Sequence, residues 1–197
     1  MDKVLVRIAD SKPYELETLL NHKYLKEKDY PDILKYLNNE DKKERAVSII
    51  LRNKYIGKVS FSIRGKPLSK SKFFNISHSK GIVGLATTNN EVGLDIEVIR
   101  PVDKKLKDFV SNKDEKKYIK NDENFFEIWT NKESLLKCIG SGIRSKMDKV
   151  PSLPLNNIKF FDGQYFYCRT ITYNNLVITV TRNSAEPFEI EVKEESI

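Results

Sequence analysis

Residues 92–98, V-G-L-D-I-E-V, alternate strictly. In an extended strand Val92, Leu94, Ile96 and Val98 fall on one side, and Gly93, Asp95 and Glu97 on the other. A chain carrying this segment must bury one face of a strand while holding two carboxylates on the opposite face. The residues before it, Ile82–Thr88, read as a second strand. Asn89-Asn90 between the two suits a tight hairpin turn, because Asn tolerates positive φ. With Thr88 opposite Glu91, Ala86 would face Gly93 and Gly84 would face Asp95, leaving room for a ligand beside the carboxylates.

The remaining segments give a mixed order of helices and strands. V-L-V-R-I (4–8) reads as a strand, and Tyr14–Leu20 and Ile33–Leu37 have helical apolar spacing. Asp41 to Lys54 reads as a helix capped by Asp41, with Ala46, Ile49 and Ile50 as its apolar stripe. Residues 72–76 are extended. The charged stretch 103–124 holds helices near Lys104–Val110 and Lys113–Ile119. Residues 125–139, F-F-E-I-W-T-N-K-E-S-L-L-K-C-I, form a helix whose face of Ile128, Leu135, Leu136 and Ile139 is apolar, stopped by Gly140-Ser141-Gly142. Ile158–Phe161, Tyr165–Tyr173 and Leu176–Thr181 read as strands, and the acidic tail from Asn183 as partly loose. At 197 residues this is an α+β chain of one domain or two small, tightly joined ones.

Charge narrows the chemistry. The formal net charge is +7, and between Arg45 and Asn90 there are nine basic side chains and no acidic one. Such a stretch is either a solvated basic face or a site for a polyanion. Two Cys and two His, without metal-ligand spacing, exclude a zinc site and a disulfide framework, so any metal would be held by oxygen. The start lacks a signal peptide and no stretch is long enough to span a bilayer; the expectation is a soluble cytoplasmic protein with no membrane partner.

Asp95, Glu97 and Glu133 are the carboxylates that could form a hard-oxygen site for Mg²⁺, with Lys137 one helical turn beyond Glu133. Taken separately, D-x-E also suits a solvent-facing strand, and Glu133–Lys137 an ordinary surface pair. His78, within F-N-I-S-H-S, could donate to phosphate or serve as a capping or core residue. No G-x-S-x-G elbow, P-loop or G-x-G-x-x-G is present, which disfavours a serine hydrolase and offers no support for P-loop or Rossmann nucleotide binding.

Taken in order, Gly65-Lys66-Pro67, F-N-I-S-H-S (74–79), V-G-L-D-I-E (92–97) and W-T-N-K-E-S-L-L-K-C-I-G-S-G-I (129–143) resemble the surfactin-type phosphopantetheinyl transferases. The Arg45-Ala46 helix and S-L-P-L (152–155) are also similar, so the resemblance covers roughly residues 41–160. It implies two similar α/β halves, 1–98 and 99–197, related by a pseudo-twofold axis with the active site between them, in a monomer. It implies Asp95, Glu97 and Glu133 as Mg²⁺ ligands and Glu133 also as general base. Lys137 would lie near the pyrophosphate of coenzyme A and would also help with proton transfer. His78, with Ser77 beside it, would meet the 3′-phosphate; Lys66 would contact phosphate, and Arg45 would lie near the adenine end. Trp129 reads as structural. Lys23, Lys26 and Lys28 are further basic candidates. The implied reaction moves 4′-phosphopantetheine from coenzyme A to a serine of an apo acyl or peptidyl carrier protein, releasing 3′,5′-ADP. The alternatives are a Mg²⁺-dependent phosphodiesterase or nuclease using the same acids, and a basic nucleic-acid-binding protein. The first leaves His78, Lys66 and the K-E-S-x-x-K helix unexplained. The second lacks aromatic or Arg-rich readout elements, and no nucleic-acid partner is expected.

Overall fold

A computed structural model describes residues 2–62, 66–142 and 146–197. The first sheet has the order β10-β1-β5-β4, built from β1 (Asp2–Asp10), β4 (Phe73–Ser79), β5 (Ile82–Thr88) and β10 (Phe188–Glu194). The second has the order β6-β9-β8-β7, from β6 (Val92–Val98), β7 (Ile158–Phe161), β8 (Gln164–Tyr173) and β9 (Leu176–Arg182). A small ribbon pairs β2 (Ser60–Phe61) with β3 (Pro67–Leu68). The helices are α1 (Leu16–Leu20), α2 (Tyr30–Leu34), α3 (Asn39–Tyr55), α4 (Lys104–Val110), α5 (Lys113–Tyr118) and α6 (Asp122–Ile139).

The layers run helix, sheet, sheet, helix. Between the sheets lie Val4, Val6 and Ile8 of β1, Leu94 and Ile96 of β6, and Ile178 and Val180 of β9. On the outer face of the first sheet, Val83 and Leu85 of β5 pack against Ala46, Ile49 and Ile50 of α3. On the outer face of the second, α6 lies over β6, β9 and β8. Thr130 and Ser134 of α6 meet the hydroxyls of Thr179 and Thr181 on β9, each at 2.7 Å. These buried polar groups are satisfied by one another, as burial requires.

Three expectations are corrected. First, β5 and β6 do not form a hairpin. β5 is occupied on both edges, by β1 and β4, while β6 pairs with β9, so Asn89-Asn90 carries the chain from one sheet to the other. The small residues leave no ligand space either: a Cβ on Gly84 would meet Leu94 and Ile96 at 3.2 Å. Second, the acidic tail is ordered. Phe188 is buried and β10 runs parallel to β1. Its acids answer bases of the first half: Glu191 pairs with Lys3 at 3.5 Å, and the following Glu195 with Arg7 at 3.3 Å and Lys54 at 3.2 Å. Third, α3 begins earlier than expected. Asn38 is its cap, accepting from the Asp41 amide at 2.7 Å.

The 98/99 boundary does not coincide with the division between sheets. β6 belongs with β7–β9, and β10 belongs with β1.

Gly93 is where the second sheet admits α6. A Cβ there would stand 1.9 Å from the Ser134 carbonyl oxygen and 2.5 Å from the Cys138 amide nitrogen, both helix backbone. Gly93→Ala should therefore destabilise the fold by at least about 1–3 kcal/mol, the usual range for overpacking. Urea unfolding measures this, and an unchanged midpoint would contradict so close a crossing.

Candidate active site

The site grows from the seam between β4 and β6. β6 pairs with β9 on one edge only. On its other edge the amides of Leu94, Ile96 and Val98 donate to Asn75 Oδ1 (3.0 Å), Ser77 Oγ (3.4 Å) and Ser79 Oγ (3.3 Å). Three small polar side chains at alternate positions of β4 thus satisfy a strand edge that another strand would otherwise cover. The two hydroxyls also donate onward, Ser77 to Asp95 Oδ1 at 2.9 Å and Ser79 to Glu97 Oε2 at 2.6 Å. D-x-E is therefore not a solvent-facing strand motif, and Asp95 is only 4% exposed.

Helix α6 supplies the other side. Asn121 caps its start, accepting from the Asn124 amide, and Gly140 ends it in the left-handed region at φ +74°. Between them, Glu133 and Lys137 lie one turn apart on the same face. Lys137 Nζ donates to Asp95 Oδ1 at 2.6 Å and to Ser77 Oγ at 2.9 Å. Glu133 is buried, at 6% exposure, and its pKa is pushed up to about 7. Burial is the largest cause and the Asp95 charge adds to it, while Lys137 opposes both. Burial likewise raises Asp95, against the pull of Lys137.

Two oxygens in this arrangement are buried without a hydrogen-bond partner: Asp95 Oδ2 and Glu133 Oε1. Carboxylate oxygens left in that state are suited to a hard cation. Glu97 adjoins them and adds negative charge to both, but its Oε2 is held by Ser79 and by Arg100 at 2.7 Å. Among the described residues no three acidic, His or Cys side chains converge as a ready-made cage.

Asp95, Glu133, Lys137 and Ser77 thus come together, with Glu97 at the margin. The other anticipated residues are placed apart. Lys66 reaches the end of α6, where Nζ donates to Glu91 at 2.5 Å and to the Cys138 carbonyl at 2.7 Å. It borders a groove of about 680 Å³ that also includes Gly140 and Asn183 in its lining, but not Asp95, Glu97 or Glu133. His78 points from the opposite face of β4, toward Glu44 of α3. Arg45 of α3 is paired with Asp32. Trp129 is partly buried and packs against the core beside Phe125. Lys132 is fully buried; it donates to Glu115 at 2.7 Å and to the carbonyls of Val110 (2.7 Å) and Met147 (2.9 Å). It tethers the chain on both sides of α6, and removing one partner of such a buried pair typically costs about 3–5 kcal/mol. Gly65 and Ile143 lie outside the described residues.

Asn75, Ser79, Glu44 and Glu91 are partners that motif reading passed over. A signal for the first two exists: N-I-S-H-S places small polar groups at every second position, matching the repeat of D-x-E.

With this geometry in view, residues 91–181 match the model of the 4′-phosphopantetheinyl transferase superfamily. The chain is similar to a 4′-phosphopantetheinyl transferase of Aneurinibacillus migulanus, 40% identical over 76 residues, which cover 36% of this chain and 32% of that protein. A 4′-phosphopantetheinyl transferase of Bacillus pumilus is 34% identical over 88 residues, covering 40% and 38%. The matched stretches span only between 32% and 38% of these relatives' length. The resemblance read from the motifs is thereby shown over the segment that carries D-x-E and K-E-S-x-x-K. Among the described residues no helix is long and apolar enough to cross a membrane.

The raised Glu133 pKa fixes a pH dependence. Between its ordinary 4.5 and about 7, the folded protein holds a proton that the unfolded chain has released. Stability contributed by that proton is full below the window and is lost as pH rises through it, by about 3 kcal/mol in all. Metal-free protein should therefore unfold at lower urea near about pH 8 than near about pH 5, and Glu133→Gln should shrink the difference. A pH-independent Glu133→Gln stability increment would contradict the assignment.

Proposed function

We propose that this protein transfers the 4′-phosphopantetheine group of coenzyme A to a serine hydroxyl of an apo acyl or peptidyl carrier protein, releasing 3′,5′-ADP. The observation that carries this is the convergence of Asp95, Glu133 and Lys137 across the seam, with two buried carboxylate oxygens left without a donor. These residues fit Mg²⁺, with Asp95 and Glu133 as its protein ligands and Glu97 beside them. Bound Mg²⁺ would offset the charge of the pyrophosphate and of the leaving group.

The chain's own residues have definable tasks in this reading. Glu133 accepts the proton of the carrier serine, directly or through water, from its buried place on α6 beside Asp95. Lys137, already aimed at Asp95 and Ser77, holds positive charge where negative charge develops. Ser77 orients Asp95. Lys66 exchanges Glu91 for a phosphate oxygen, and His78 and Arg45 meet the nucleotide end. The two halves, 1–98 and 99–197, are then related by a pseudo-twofold axis in a monomer, each giving one strand, β6 or β10, to the other's sheet.

The test is to incubate the protein with coenzyme A, Mg²⁺ and an apo carrier protein and to weigh the carrier. A phosphopantetheine mass gain, lost on chelation, is expected; no gain across acyl and peptidyl carriers would overturn the proposal. Asp95→Ala should abolish transfer with the fold retained, and Glu133→Gln should slow it by on the order of 10²–10⁴-fold. Lys66→Ala should raise KM for coenzyme A while kcat changes little, as checked by steady-state kinetics.

A further inference from the structure

The alternation that turns Ser77 and Ser79 toward β6 turns His78 the other way, onto α3. There its Nδ1 lies 2.7 Å from Glu44 Oε2. The Glu44 side chain is only 8% exposed, whereas the His78 ring is 54% exposed. A buried carboxylate thus grips the inner nitrogen of a half-exposed imidazole. The second oxygen of Glu44 accepts from the Gly81 amide, so the carboxylate is anchored from two sides. That turn is itself confined. Lys80 and Gly81 both have positive φ, and a Cβ on Gly81 would stand 2.7 Å from the Lys12 side chain. Burial pushes the Glu44 pKa up, but His78, the Gly81 amide and Lys80 outweigh it, and it ends below the ordinary value.

We propose that Glu44 is a positioning residue for anion recognition: it fixes His78 through Nδ1 so that Nε2 is presented to the phosphate monoester of the nucleotide. The proposal deepens the reading of the previous section and rests on it. The chemistry follows from the ring. A carboxylate at Nδ1 requires a proton there. An anion at Nε2 requires a second. An imidazole held between the two donates from both nitrogens and carries positive charge to the phosphate. Without Glu44 the ring could rotate, or present a lone pair to the anion. Glu44→Gln keeps an oxygen for the Gly81 amide and nearly the same shape, but it turns an amide toward Nδ1. His78 would then accept at Nδ1 and offer a neutral N–H at Nε2.

The test uses binding rather than transfer. Calorimetry compares adenosine 3′,5′-bisphosphate with 5′-AMP, which lacks the 3′-phosphate. The wild-type protein should prefer the bisphosphate. Glu44→Gln should weaken bisphosphate binding by about tenfold and leave 5′-AMP unchanged. His78→Ala should do the same, and the double variant should add little further. The ¹⁵N shifts of the His78 ring should report the changed tautomer in Glu44→Gln, an effect that a general loss of stability does not produce. If the wild type modifies a carrier protein but Glu44→Gln keeps the full bisphosphate preference, the role of Glu44 is wrong and the transferase reading stands. Equal weakening toward both nucleotides also overturns it. If the wild type neither modifies a carrier nor distinguishes the nucleotides, both fall together.

Discussion

The unpaired edge of β6 is the constraint on which the rest depends. A strand with one free row of amides inside a protein must find acceptors, and here they are side chains rather than a backbone. Asn75, Ser77 and Ser79 are short enough to bring β4 within reach of β6 without extending the sheet. The two sheets therefore meet edge to edge at one seam while packing face to face elsewhere. The serines that close the seam also hold Asp95 and Glu97, so joining the sheets and orienting the acids are one set of contacts.

The same seam makes the site electrostatically expensive. Lys137 bonds Asp95 and acts on Glu133 through its charge alone, and each of these buried carboxylates has an oxygen without a donor. Neither packing nor propensity favours this arrangement, and well-packed apolar residues of similar volume in place of a buried ion pair are often neutral or stabilising. Rule-breaking of this kind is concentrated at functional sites. By contrast, the buried Lys132–Glu115 pair is fully satisfied, with two carbonyls and the Ser152 hydroxyl completing it. Both pairs involve motif lysines on α6, yet only Lys137 keeps part of its side chain in solvent.

Much of this was legible in the sequence, for local reasons. The 3.6-residue period of 125–139 and its glycine stop located α6, and the two-residue period of 92–98 located the carboxylate face. What was not legible is which strand lies beside which. Adjacency in sequence favoured β5 as the partner of β6, but pairing is decided by which edges remain open, and both edges of β5 are taken. The tail misled for a related reason: its acids suggest a solvated segment until the bases opposite them on β1 and α3 are known. The acid-free stretch from Arg45 to Asn90 suggested an uncompensated basic surface. It is bounded by Glu44 and Glu91, and the fold returns these two acids to His78 and Lys66.

The parallel pairing of β1 with β10 has a kinetic consequence. Its register joins residues 2–8 to residues 188–194. The loop between them is nearly the whole chain, so closing it is among the slowest kinds of contact to form. On the ribosome, β1 stays without its outer neighbour until β10 has been made. During that interval the order of events is set by the local units, α3 on β5 and β4, which can form while the rest of the chain is still emerging.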